Sequence, residues 1–189
     1  MPYFQSETFE RENYTSRFLD TGQYEECVFE QCDFAESDLS SVIFIDCRFS
    51  NCNLSLANIH STAFQNVQFT NCKMLGLIFA ECNDFGLSVS FDGCLLDNAS
   101  FYKLKLKKTI FHRCQLHETD FAEADLAEAD FRESDLKGAI FDRTNLQKAD
   151  FRSASQFSIN PELNRIAKAK FSFRSLPGLL YKYGISIEE

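Results

Sequence analysis

The sequence predicts an all-β solenoid, a backbone wound in square coils of 20 residues around a filled interior. Three observations predict it: a large apolar residue at every fifth position, small residues repeating at intervals of 20, and charged residues confined to the positions between.

The period of five is clearest in TDFAEADLAEADFRESDLKGAIFD, from Thr119 to Asp142, where Phe121, Leu126, Phe131, Leu136 and Phe141 are the large apolar residues. On an α-helix a five-residue step turns about 140° past a full circle, and on a flat strand successive anchors alternate faces. The backbone therefore turns within every repeat. One register runs through Phe4, Phe9, Tyr14, Leu19, Tyr24, Phe29, Phe34, Leu39, Phe44, Phe49, Leu54, Ile59, Phe64, Phe69, Met74 and Phe79. A second, displaced by two residues, runs through Phe91, Leu96, Phe101, Leu106, Phe111, Leu116, Phe121, Leu126, Phe131, Leu136, Phe141, Leu146 and Phe151.

The cysteines set the size of a coil. All eight stand two residues before an anchor position, and Cys32, Cys52 and Cys72 are 20 apart, as are Cys27 with Cys47 and Cys94 with Cys114. Steps of 20 also give a pure Phe column (Phe111, Phe131, Phe151) and a pure Leu column (Leu106, Leu126, Leu146), which steps of 15 would mix. Four repeats thus make one coil with four sides. At the usual strand spacing the rod is roughly 35 Å long. Burying each Phe or Leu contributes about 1.5 to 3 kcal/mol, and no repeat is stable alone.

The elements follow in order. Residues 1–154 form the repeat region, with an N-terminal stack to about residue 82, a register break over 83–88 and a C-terminal stack from 89. In the break, NDFGLS adds two residues; Gly86 suits the unusual backbone angle and Phe85 is expected to turn inward in place of the anchor missing at Asp84. After Phe151 the pattern stops. Asn160-Pro161-Glu162 reads as a helix start, with Leu163, Ile166 and Ala167 on one face. A second short helix is expected from Leu176 to Tyr183, ending at Gly184, and then a short strand Ile185-Ser186-Ile187. Residues 155–189 would cap the solenoid. Leu176, Leu179, Leu180, Tyr181, Tyr183, Ile185 and Ile187 supply more apolar surface than a cap requires, so the tail is expected to bury itself against a second copy as a homodimer.

Cysteine at the small inward position, which elsewhere holds Ala57, Ala99, Ala124, Ser37, Thr62 or Val42, reads as a free, buried small hydrophobe and not as a metal ligand. No signal peptide, apolar span of membrane length or lipidation motif is present, which places the protein in a reducing cytoplasm with no membrane partner. No nucleophile elbow, phosphate loop or metal-spaced His/Cys cluster accompanies the three histidines. Catalytic, metal and cofactor sites are therefore not expected.

Charge carries the functional signal. Residues 1–102 hold 15 acids and 4 bases, whereas residues 103–154 hold 10 of each. The N-terminal half carries roughly 0.45 negative charge per Å against about 0.6 for duplex DNA. Glu25, Glu26, Glu30, Asp33, Glu36, Asp38 and Asp46, all outside the anchor positions, form the candidate acidic partner-binding surface. Nucleic acid itself would be repelled. The basic cluster Lys103, Lys105, Lys107 and Lys108 reads as a solvated patch.

Ala124-Asp125-Leu126-Ala127-Glu128 and Ala129-Asp130-Phe131-Arg132-Glu133 resemble the A-(D/N)-L-X-X unit of the pentapeptide repeat family. That resemblance implies a right-handed quadrilateral β-helix. Together with the mid-chain break, ISINPELNRI after the last repeat and the terminal LLYKYGI, the chain resembles the gyrase-protecting branch of that family, the Qnr-type quinolone-resistance proteins and the microcin and albicidin self-immunity proteins. The resemblance implies a dimeric rod that mimics DNA, binds DNA gyrase or a related type II topoisomerase and relieves its poisoning. The chain lacks the long projecting loops of the Qnr type, so the self-immunity proteins are the nearer comparison. The alternative is a scaffold solenoid whose surface binds a different protein.

Overall fold

A computed structural model of the chain describes residues 1–186. The backbone forms a four-sided parallel β-solenoid in which rungs pair with those 20 positions on, except across the break. Face 1 carries β1 (Tyr3–Gln5), β3 (Gln23–Glu25), β5 (Ile43–Ile45) and β7 (Ala63–Gln65), with Phe4, Tyr24, Phe44 and Phe64 in register. Face 2 carries β2 (Thr8–Glu10), β4 (Val28–Glu30), β6 (Arg48–Ser50), β8 (Val67–Thr70), β9 (Val89–Asp92) and β10 (Ile110–His112). Faces 3 and 4 are laddered by single bridges, such as Asn13 to Asp33 to Asn53 and Ser100 to Asp120 to Ile140.

Why five residues make one side is visible in the backbone angles. Twenty-four non-glycine residues have φ between 52° and 64°, among them Ser6, Glu26, Asp46, Glu118 and Glu128, each two residues past an anchor. A left-handed residue turns the chain through a corner, at about 1 to 3 kcal/mol apiece. The turn is held because the corner N–H meets a carbonyl of the next coil, as from Glu26 to Ile45 (2.9 Å), Asp46 to Gln65 (2.9 Å) and Glu128 to Gln147 (2.8 Å).

Inside, the anchors stack. Phe9, Phe29, Phe49, Phe69, Phe91, Phe111, Phe131, Phe151 and Phe171 form one column with successive ring centroids 4.6 to 5.5 Å apart. Neighbouring columns meet edge to face, as Phe91 meets Phe101 at 73°. All eight cysteines are free and buried. Their position asks for more than small size. The inward residue donates to the anchor carbonyl one coil back: Thr62 Oγ1 to Leu39 (2.7 Å), Ser134 Oγ to Phe111 (2.8 Å), Cys47 Sγ to Tyr24 (3.3 Å). Burial keeps Cys47 and Cys82 as thiols, pushed up to about 12.

The Asp or Asn before an anchor has its own task. Its side-chain oxygen accepts the N–H two residues on, as Asp38 does from Ser40 (2.9 Å) and Asp120 from Ala122 (2.9 Å). Adjacent coils then bridge, Asn58 Nδ2 donating to Asp38 at 3.0 Å. The A-(D/N)-L-X-X pattern is thus a local turn lock.

At the break the pairing step becomes 22: Val67 pairs with Val89 and Phe69 with Phe91. The sequence expectation for Phe85 is corrected, since the residue is 81% exposed. Half-buried Leu87 packs on the core instead. The side chain of Asn83 accepts the Phe85 N–H, and Gly86 (φ +71°) turns the corner, which leaves Phe85 on the outside of the turn.

The tail also departs from expectation. No α-helix starts at Asn160; the coil continues, with Arg165 laddered on Asn145 and Lys170 on Asp150. Ile166 and Phe171 rejoin the columns, and buried Asn164 donates to Phe141 while accepting from Thr144. Cross-coil pairing outweighs the local helix signal, so the repeat region runs beyond residue 154 and Leu163 is left exposed. The second helix is two 3₁₀ segments, Phe173–Leu179 and Tyr181–Tyr183, with Gly184 left-handed at its end. Their stop matches expectation; their start is earlier. Ile159 N–H donates to Gly178 (2.9 Å), fixing this cap on the last coil. Ile185 and Ser186 form no strand, and Ile187 lies outside the described residues.

Two expectations follow. Phe111→Ala empties one rung between Phe91 and Phe131 and should cost about 3 to 5 kcal/mol in urea unfolding; a loss below about 1 kcal/mol contradicts the filled column. Hydrogen bonds from Ser40 hold the Asp38 carboxyl below its ordinary value, and those from Arg152 do the same for Asp150. A depressed carboxylate stabilises the fold above its unfolded pKa, near 4, and loses that contribution as pH falls through the folded one. Thermal melting should therefore fall steeply below about pH 4, and Asp38→Asn with Asp150→Asn, which keep the turn acceptor, should flatten that limb. Equal slopes in wild type and variant overturn this assignment.

Candidate interaction surface

Outward positions are the two residues flanking each anchor and the corner that follows. Because the sides are fixed by the ladders, charge can be read face by face. Face 3 carries Glu12, Asp33, Glu36, Asp97, Glu118 and Asp135 against Lys73 and Lys137. Face 4, around the next corner, carries Asp20, Asp38, Glu81, Asp120, Glu123 and Asp142 against Arg17, Lys103 and Arg143. These adjacent sides are net negative toward both ends of the rod and neutral over the two coils between, where residues 52–61 carry no charge and Lys73 offsets Glu81. Sequence counting by halves misses this, because the cations of the C-terminal half lie largely on faces 1 and 2.

The seven candidate carboxylates do not share one side. Glu25 and Glu26 lie on face 1, Glu30 on face 2, Asp33 and Glu36 on face 3 and Asp38 on face 4, so six of them encircle one coil; Asp46 sits one coil on, below Glu26. None is buried. Their partners are neutral: Tyr3 Oη donates to Glu25 (2.9 Å), Ser6 Oγ to Glu26 (3.0 Å), Asn51 to Glu30 (2.9 Å), Asn53 to Asp33 (3.1 Å) and Asn66 to Asp46 (2.6 Å). Among the described residues no Lys or Arg pairs with any of the seven. Their charge is uncompensated at contact range. Asp33 and Asp38 also lock turns, a structural duty that the other five do not have.

In the C-terminal half, carboxylates are sandwiched between coils. Glu123 lies between Lys103 (3.6 Å) and Arg143 (3.2 Å), and Glu128 between Lys107 and Lys148 (3.7 Å each). His112 lies between Asp92 and Glu133, and His117 between Asp97 and Asp135. Exposed pairs contribute little stability. The Lys and Arg of these pairs mute the field around Glu123 and Glu128. Among the described residues no group of three or more His, Cys, Asp or Glu is placed to hold a metal, and no helix is long and apolar enough to cross a membrane.

The tail divides in two. Leu179 packs on the core and Leu180 is half-buried, whereas Leu176, Tyr181, Tyr183 and Ile185 are exposed. Phe173, 89% exposed, and Leu163 join that outer group and carry no sequence signal that separates them from core residues.

A search of curated protein sequences returns no match. Among solved structures, full-length QnrB1, a plasmid-mediated fluoroquinolone resistance protein, is similar over 97% of this chain and 100% of its own, with a TM-score of 0.60 at 17% identity. HetL, a pentapeptide repeat protein involved in heterocyst differentiation regulation in the cyanobacterium Nostoc sp. strain PCC 7120, is similar over 92% of this chain and 85% of its own, with a TM-score of 0.40 at 14% identity. At 17% identity the likeness to QnrB1 concerns the fold. The family model for the pentapeptide repeat region matches residues 23–84 and 87–171, its two segments separated at the bulge that carries Phe85, and the chain belongs to the pentapeptide repeat family.

Proposed function

We propose that this protein is a non-enzymatic DNA mimic: an acidic rod that occupies the DNA-binding groove of DNA gyrase or a related type II topoisomerase and protects that enzyme from a poison, in the manner of a resistance or immunity protein. The observation that carries this reading is the pair of adjacent faces, 3 and 4, that are net negative toward both ends of a filled rod. A basic groove shaped for a polyanion attracts such a surface electrostatically, and the attraction weakens as salt screens it. QnrB1, described as a fluoroquinolone resistance protein, shares the fold and supports the reading. The buried free cysteines suit a reducing cytoplasm.

In the same reading, the exposed part of the tail joins two copies end to end. Full-length protein should sediment as a dimer at micromolar concentration, and Phe173→Glu with Tyr181→Glu, which leaves Leu179 seated on the core, should give a monomer with an unchanged β-sheet spectrum. A wild-type monomer would sink the dimer.

The functional test is a gyrase supercoiling titration with and without a poison. Wild-type protein should inhibit supercoiling or relieve poison-stabilised cleavage. A variant with lysine for Glu12, Glu36, Glu81 and Glu118 on faces 3 and 4, and Asp33→Asn and Asp38→Asn to retain both turn locks, should act at least about tenfold more weakly at low salt while melting near the wild-type temperature. Wild-type protein without effect, or a variant of equal potency, would favour a scaffold with a different partner.

A further inference from the structure

We propose that the middle of faces 3 and 4 is an apolar seat, flanked by carboxylates, for an apolar wedge side chain that projects from a basic DNA-binding groove. The inference rests on the topoisomerase reading above and specifies which feature of that groove the rod engages.

Two adjacent columns carry it. The corner column between faces 3 and 4 runs Glu36, Leu56, Gly76, Asn98, Glu118, and the neighbouring column on face 4 runs Asp38, Asn58, Ile78, Ser100, Asp120. Each begins and ends on an acid and is uncharged over the three rungs between. Leu56 is 62% exposed, Ile78 and Leu95 are exposed beside it, and half-buried Leu75 completes the group. A Cβ on Gly76 would stand 2.8 Å from Leu56 Cδ2, so the bare corner (φ +65°) lets Leu56 lie across it. Lys73 and Glu81, which share a coil with Ile78, carry opposite charges. Asp97, which follows Leu95, accepts from Gln115 and from the His117 N–H.

The charges select the occupant. Glu36 and Glu118, like Asp38 and Asp120, stand four coil spacings apart, about 19 Å, roughly the length of five to six base pairs. Proteins that bend DNA insert Phe, Leu, Ile, Met or Pro between base steps, while cations hold the phosphates to either side. A duplex opened in this way offers its groove negative charge, an apolar gap and negative charge again. Faces 3 and 4 offer the same order. An anionic lipid surface or a nucleic acid is repelled by the flanks. A second copy laid on this side, centred on Gly76, meets acid with acid in either direction, because both columns end on acids. An apolar partner without cations leaves the four flanking carboxylates unmatched. A groove with basic walls and an apolar wedge between them satisfies both parts.

The test displaces a labelled duplex from DNA gyrase with full-length wild-type protein, a seat variant and a flank variant. The seat variant, Leu56→Asn, Ile78→Ser and Leu95→Gln, adopts the residues that the same columns hold at Asn98, Ser100 and Gln115, and leaves the net charge unchanged. It should displace duplex at least about tenfold more weakly with the wild-type dependence on salt. The flank variant, Glu36→Gln and Glu118→Gln, should show a smaller dependence on salt. Leu56→Asn alone, at a left-handed corner that suits Asn, should weaken displacement at least about threefold without altering the melt, which separates loss of the seat from loss of stability. Failure of the wild type to displace duplex removes the topoisomerase reading and this inference with it. Equal displacement by wild type and seat variant leaves that reading standing and overturns the seat. The wedge is tested from the enzyme's side by alanine at each apolar residue lining gyrase's DNA groove. Against one of these enzymes the seat variant should lose less than about threefold, because its partner is already gone. A tenfold loss that persists against every alanine enzyme overturns the wedge as occupant. So does a wild type whose self-association in sedimentation is abolished by the three seat substitutions, which assigns the patch to a second copy.

Discussion

The corner is the constraint on which this structure depends. An L-residue held at φ near +55° is unfavourable, and here one occurs at most fifth positions. It persists because its N–H is satisfied only by a carbonyl of the next coil, and because the anchor two residues earlier is clamped in an aromatic or aliphatic column. Neither half suffices alone. An isolated repeat has the cost of the corner without the ladder, so stability belongs to neighbouring coils rather than to local sequence. The same logic explains why Asn160-Pro161-Glu162 does not begin a helix. Ile166 and Phe171 have columns waiting for them, and Asn164 has a carbonyl and an N–H to serve in the coil above.

With the interior so determined, the outer positions are free to be written for binding. Corners and anchor-flanking positions accept Glu, Lys, Ser or Gln without touching the core, and each side of the rod becomes an independent charge pattern. Faces 3 and 4 are net acidic toward both ends, face 1 is acidic before the break and basic after it, and the inter-coil pairs at Glu123 and Glu128 show how a carboxylate is muted where cations stack above and below it. Two charge patterns thus lie on one rod, a net acidic one on faces 3 and 4 and one on face 1 that changes sign at the break.

Most of the fold was legible in the sequence because a period of five with stacked cysteines has no solution but a four-sided coil. The inward thiols were legible as small residues, although their donation to the anchor carbonyl one coil back was not, since that partner lies 23 positions away. Phe85 misled because the missing anchor at Asp84 invites the nearest aromatic, whereas the turn at Asn83 and Gly86 points it out and brings Leu87 in. The acidic run from Glu25 to Asp46 was legible as charge but not as geometry. Consecutive repeats occupy consecutive sides, so acids adjacent in sequence encircle the rod, and those that share a side are 20 or 22 apart.

Direct competition tests the central claim, that the rod's charge stands in for DNA. A labelled duplex bound to gyrase should be displaced by this protein with competitive stoichiometry, and the displacing affinity should fall as salt rises, in parallel with that of the duplex. Binding of protein and duplex to the same enzyme at once, or an affinity indifferent to salt, would contradict it.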